Sequence, residues 1–222
     1  MIGLLERQSE VRIIFACAPS QATTLAALAA EPEIDWSRVV AFHMDEYLGL
    51  APDAPQLFSR WLKQVLLDHV PVGKAHLIVP GDNPADDCRA YGELLAEAPI
   101  DIACLGIGVN GHIAFNDPPA DFSDPVAVKV VELSLESRRQ QVDDECFAEL
   151  ADVPSQAITL TVPRLLAADR MFCMVPGEEK RAALTATLYG PIGPQVPATV
   201  LRTHPNCTIY LDSGSAPRRP AG

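Results

Sequence analysis

Short apolar runs alternate along the chain with longer stretches in which apolar residues recur every three or four positions. The runs at 11–17 (VRIIFAC), 39–43 (VVAFH), 100–105 (IDIACL), 127–133, 171–175 and 207–211 (CTIYL) predict strands, with a shorter one over 76–79. Between them, 21–30, 55–70 (PQLFSRWLKQVLLDHV), 83–98, 136–150 and 178–188 predict helices, and 157–162 leads into a further segment over 163–168. In 55–70 the apolar positions Leu57, Phe58, Trp61, Leu62, Val65 and Leu66 have helical spacing, while Asn83 followed by Pro84 is a helix start, with a cap and a first-turn proline. Strands that alternate with helices imply right-handed crossovers and a largely parallel sheet. A run as continuously apolar as VRIIFAC fits a sheet covered on both faces. The expected architecture is one α/β domain over residues 1–212, Rossmann-like with helices on both faces, followed by a mobile tail over 213–222 (SGSAPRRPAG).

Composition narrows the partners. The 222 residues are 48% hydrophobic and 21% charged, enough for a sizeable core, and 29 acidic against 17 basic residues leave a net charge of −12. That balance argues against nucleic acid as the main ligand, because phosphate-backbone affinity comes from Lys and Arg. No uncharged apolar run approaches the roughly 18 residues that span a bilayer, so no membrane partner is expected. The first residues, MIGLLERQSE, do not have the layout of a secretory signal. None of the six cysteines is spaced as CxxC, so they read as reduced thiols, and a cytoplasmic protein is the expectation.

Ligands of a doubly wound sheet gather beyond the C-terminal ends of its strands. Three polar segments have that address: 17–23 (CAPSQAT), 43–47 (HMDEY) and 106–117 (GIGVNGHIAFND). In the first, Ser20 opens a helix, which either caps it or presents free N–H groups to an anion. In the second, Asp45 and Glu46 are either an acid/base pair or a polar exit from the core. In the third, Gly106, Gly108 and Gly111 allow sharp turns around Asn110, His112, Asn116 and Asp117, a setting in which a histidine can be oriented for proton transfer. Lys180, in the first turn of a helix after a strand, opposes the helix dipole unless an anion is bound there.

Taken together, FHMDEYLGL (42–50) and LGIGVNGHIAFNDP (105–118) closely resemble the paired signatures of the glucosamine-6-phosphate deaminase (isomerase) family, which is related to the 6-phosphogluconolactonases. The stretches 157–184 and 201–212 resemble that family in order and spacing, so the likeness covers nearly the whole chain. It implies a modified Rossmann sheet, no metal or organic cofactor, and conversion of an amino-sugar 6-phosphate and water to the ketose 6-phosphate and ammonia through an enolamine. By position, Asp45 would be the base between C2 and C1, and His112 would open the sugar ring, oriented by Asn110 and Asp117. Arg138 and Lys180 would hold the phosphate, with the turn at Ser20, Gln21 and Thr23 cradling it, and Glu46 and Gly108 would border the substrate. A homo-oligomer is compatible with the likeness.

The chain departs from the pattern at three places. Ser20-Gln21-Ala22-Thr23 stands where the family has a Gly-Gly-Thr type of turn, Asp117 stands where a Glu is usual, and the segment before the first strand is short. These departures leave two further readings: a deaminase for another hexosamine phosphate, or a non-catalytic sugar-phosphate sensor. Retention of both Asp45 and His112 favours an enzyme, since a sensor needs neither.

Overall fold

Six of the predicted segments lie side by side, and those at the centre do so because every residue in them is buried. In the computed structural model, which describes residues 1–217, β1 (Val11–Phe15), β2 (Val39–His43), β4 (Lys74–His76), β5 (Ile102–Leu105), β8 (Arg170–Val175) and β9 (Cys207–Leu211) form one sheet in the order β4-β2-β1-β5-β8-β9. Every neighbouring pair in it is parallel. Alternate residues feed two cores. Ile14, Phe42, Ala103 and Leu105 pack on one face against α4 (Pro84–Ala96), α6 (Val162–Leu166) and α7 (Arg181–Tyr189). Ile13, Phe15 and Ala41 pack on the other face against α2 (Ala22–Ala29) and α3 (Phe58–Val65), with Leu5 of the one-turn α1 (Ile2–Leu5) completing it. The strand order runs outward in opposite directions from β1 and β5, so a crevice opens above their C-terminal ends.

The expected single sheet is corrected by a second one. β3 (Asp45–Tyr47), β7 (Gln156–Leu160) and β6 (Val128–Glu132) form an antiparallel sheet in the order β3-β7-β6. DEY is therefore neither a loop nor a polar exit: all three residues are buried in a strand. Asn83 caps α4 as expected, its side chain accepting from Ala85 N–H. The helix predicted over 136–150 stops early, as α5 (Leu135–Asp143), and β4 lies two residues before the predicted 76–79. The expected tail from residue 213 begins with described residues. Ser215 N–H donates to Asp212 Oδ1 at 2.7 Å and Ser215 is buried, whereas residues 218–222 lie outside those described. All six cysteines are free, and no helix among the described residues is long and apolar enough to cross a membrane.

The two sheets are stitched by the loop after β5. Phe115 N–H donates to Thr159 Oγ1 (3.1 Å), and the buried Asn116 amide donates to Ile113 O (2.9 Å) and Leu160 O (2.8 Å). Replacing Asn116 with Ala would leave two buried carbonyls short of a donor. Asn116→Ala is expected to lower unfolding free energy by roughly 1–3 kcal/mol in urea denaturation, whereas a change within error would show that water restores both bonds.

Candidate active site

Asp45 reaches the crevice because Glu46 does not. Successive side chains of a strand point to opposite faces, and Glu46 turns away from the cleft. There its Oε1 accepts from Tyr47 N–H and Phe58 N–H (both 3.0 Å), and its Oε2 accepts from Ser59 N–H (2.8 Å). The carboxylate thus closes the N-terminus of α3, where helix N–H groups lack partners and the dipole favours negative charge. Across the ladder Asp45 pairs with Thr159, and Met44 O accepts from Leu160 N–H at 2.8 Å. β3 is therefore fixed on both sides before Asp45 enters a cleft of about 410 Å³.

His112 enters the same cleft from the glycine-rich loop. Gly111 takes a φ of +85°, and a Cβ on Gly108 would lie 2.1–2.3 Å from the imidazole atoms, so only glycine lets the ring lie against the backbone there. Asn110 Nδ2 donates to Asp117 Oδ1 (3.0 Å), which turns Asn110 Oδ1 toward His112, where it accepts from the backbone N–H (3.0 Å) and faces Nδ1 at 2.7 Å. Nδ1 also lies 3.1 Å from Ser137 Oγ and 3.4 Å from Asp117 Oδ1. With an acceptor fixed at that distance Nδ1 carries the proton, which leaves Nε2 to exchange one with a bound molecule. Asp117 accepts further from Ser137 Oγ and, through Oδ2, from Ser134 N–H (3.0 Å). Burial alone would raise its carboxyl, but the contacts with His112, Ser137 and Asn110 outweigh burial and hold it below the usual carboxylate range.

At the far end the cleft is lined by Ser20, Gly106, Gly177 and Lys180. Lys180 is only 6% exposed, and burial lowers its ammonium from the ordinary value while Asp144 and Glu179 push it back up. Gln21 lies beneath the turn, donating to Ser20 Oγ (3.1 Å) and Met174 O (3.2 Å), so it buttresses the lining without forming part of it. A Cβ on Gly106 would come within 3.0 Å of that amide.

Of the residues singled out in the sequence, Asp45, Gly108, His112, Ser20 and Lys180 meet in the cleft, with Asn110 and Asp117 directly behind His112. Three do not. Thr23 is exposed on α2, outside the lining. Glu46 closes α3 from behind the base. Arg138 turns away and donates from Nη2 to Leu150 O and Val153 O (both 2.8 Å), so it pins the segment after α5. The face of α5 carrying Ser137, Gln140, Gln141 and Asp144 was not anticipated. Gln140 Oε1 accepts from Val109 N–H (3.0 Å), and Gln141 Oε1 accepts from Tyr47 OH (2.5 Å). Their spacing of three and four residues places these four on one side of the helix, a polar stripe with the period of a buried face.

Among the carboxylates that line the cleft, Asp45 has the most displaced ionisation. Burial raises its carboxyl from 3.8 to about 8, and the charge of neighbouring Glu46 adds to the shift. Glu46 is raised as well, chiefly by burial, against the pull of its three N–H donors. A carboxylate that releases its proton so late is a strong base once ionised, and a buried carboxylate facing a histidine across one cleft is an acid/base arrangement.

The family model described as glucosamine-6-phosphate isomerases/6-phosphogluconolactonase matches residues 3–210. The glucosamine-6-phosphate deaminase of Staphylococcus epidermidis is 36% identical over 199 residues, spanning 87% of this chain and 80% of its own. That of Lactobacillus delbrueckii subsp. bulgaricus is 33% identical over 187 residues, spanning 83% and 77%. Among solved structures, a monomeric glucosamine-6-phosphate deaminase superposes with a TM-score of 0.88 at 24% identity, over 96% of this chain and 90% of its own. A 6-phosphogluconolactonase from Thermotoga maritima gives 0.76 at 22% identity, over 94% and 88%. Both share the fold.

The ionisation of Asp45 has a cost that can be measured without substrate. Its folded value of about 8 lies above the unfolded one of 3.8, so between those pH values the folded chain keeps a proton that the unfolded chain has released. Stability therefore falls as pH rises through that window. Asp45→Asn cannot ionise, so it is expected to melt above the wild type at pH 8, with the difference vanishing near pH 4. Parallel melting curves at both pH values would show that Asp45 ionises normally.

Proposed function

Because the chain belongs to the family of glucosamine-6-phosphate isomerases and 6-phosphogluconolactonases, we propose that it is a glucosamine-6-phosphate deaminase, converting glucosamine 6-phosphate and water to fructose 6-phosphate and ammonia. The observation that carries this reading is the pairing in one cleft of a buried, strongly basic Asp45 with an imidazole whose Nδ1 is committed to Asn110. Opening the sugar ring requires a proton to be delivered to the ring oxygen and one to be removed from the C1 hydroxyl. His112 Nε2 serves that exchange, with Nδ1 held so that the ring cannot turn. Asp45, once ionised, takes the proton from C2 while the C1 oxygen gains one, which gives the enolamine. The proton is then returned to C1, the nitrogen lone pair forms the ketose imine, and water adds at C2 to release ammonia. The C2 proton is weakly acidic, which suits a desolvated carboxylate better than a solvated one. Ser20, the Gly177 turn and Lys180 hold the phosphate, whose binding fixes C1 and C2 against the two proton-transfer groups.

The test is ammonia release from purified protein with glucosamine 6-phosphate, galactosamine 6-phosphate and glucosamine. Release from glucosamine 6-phosphate is expected, with kcat/KM rising toward a limb near pH 8. Asp45→Asn should lose roughly 10²–10⁴-fold in kcat while still binding the sugar. His112→Gln should lose more on the ring-closed sugar than on an open-chain analogue. Unchanged turnover in Asp45→Asn would remove that carboxylate from the mechanism.

A further inference from the structure

We propose that Asp144 is a specificity-determining residue that opposes the phosphate end of the substrate and narrows the enzyme's preference for a phosphorylated over an unphosphorylated amino sugar. The proposal rests on the cleft being the amino-sugar site. Its ground is the charge inventory of the cleft. Lys180 is the only Lys or Arg among the described lining residues, and it shares the lining with the carboxylates of Asp144, Glu179 and Asp212. Arg138, the second cation that resemblance implies, donates to two backbone carbonyls elsewhere.

The three carboxylates are not equivalent. Asp212 is engaged by the N–H groups of Gly177 (3.2 Å) and Ser215 (2.7 Å), which spread its charge into the backbone. Glu179 lies over Gly177, so closely that a Cβ there would touch it, and belongs to the turn that carries Lys180. Asp144 is the C-cap residue of α5, beside the negative end of the helix dipole, and its one side-chain hydrogen bond comes from the neutral Gln140 amide at 3.2 Å. No cation among the described residues lies within 4.0 Å of it. A carboxylate in that position is unfavourable for the helix, and the only cation among the described lining residues to offset it is Lys180. It acts on whatever approaches Lys180, repelling a phosphate dianion and leaving a neutral hydroxymethyl group untouched. It also favours the charged form of Lys180, so it does not weaken the anion site by discharging the lysine.

Inorganic phosphate tests this by calorimetry without any turnover. Asp144→Asn keeps an acceptor for Gln140 and removes the charge; it is expected to tighten phosphate binding by roughly three- to tenfold at low salt, with the gain shrinking at high salt. Asp144→Glu should restore the weak binding, and adding Lys180→Ala should abolish the gain. In steady-state assays the KM for glucosamine 6-phosphate should fall in Asp144→Asn while that for glucosamine stays constant. Phosphate affinity that is unchanged or weaker in Asp144→Asn, or a gain that is independent of salt, would overturn the proposal. Absence of ammonia release by the wild type, with the phosphate effect intact, would defeat the deaminase reading and leave this role of Asp144 standing.

Discussion

The cleft depends on one short strand, Gln156–Leu160. β7 is the centre of the small antiparallel sheet, and it holds both segments that carry the candidate proton-transfer groups. On one side it pairs with β3, placing Asp45 opposite Thr159. The same Thr159 accepts from Phe115 N–H through its hydroxyl, and Leu160 O accepts from the Asn116 side chain, so the loop bearing His112 is referred to the same strand. Two catalytic candidates far apart in sequence thus share a rigid reference of two adjacent residues. A site that must align a base and an imidazole on neighbouring carbons of a sugar needs that kind of fixed spacing, because small misplacements are costly in rate.

The adjacent carboxylates of Asp45 and Glu46 show how the fold separates two chemically similar groups. Both are buried beside each other, which favours the neutral form of each. Glu46 is given three backbone N–H donors, one in β3 and two at the start of α3, and its charge is spent on holding that helix against β3. Asp45 is left with the cleft. The arrangement destabilises the ionised base in the empty enzyme, and the same destabilisation supplies its basicity. A more comfortable Asp45 would be a weaker base.

The large sheet was legible because each of its central strands is a run with no polar face; 39–43 and 207–211 match the observed strands residue for residue. The small sheet was not. β3 is three residues long, two of them acidic, and its burial depends on partners supplied by α3 and β7 that no local pattern announces. β4 has exposed residues and a lysine, so apolarity pointed past it to the buried Ile78. Among the candidate site residues, those tied to glycine turns or strand ends come together in the cleft, since backbone geometry carries them. Arg138 was misassigned because charge and order along the chain cannot tell which side of a helix faces the cleft. The buried Ser137, Gln140 and Gln141, with the half-buried Asp144 that caps the helix, answer that question, and they have the same period that identifies an apolar face.

A parallel sheet with a crevice at its switch point is hospitable to many anionic ligands and by itself selects no reaction. Selection here begins where the second sheet adds to it. The C-terminal edge of the large sheet contributes turns and a buried lysine, the groups proposed to hold the substrate. The small sheet contributes a carboxylate that is expensive to ionise and a frame that keeps an imidazole in one orientation. Holding a phosphorylated sugar would not require either of these, and Asp45 imposes a stability cost that binding alone would never justify. In the proposed mechanism that cost falls at the position where a carbon-bound proton has to be removed.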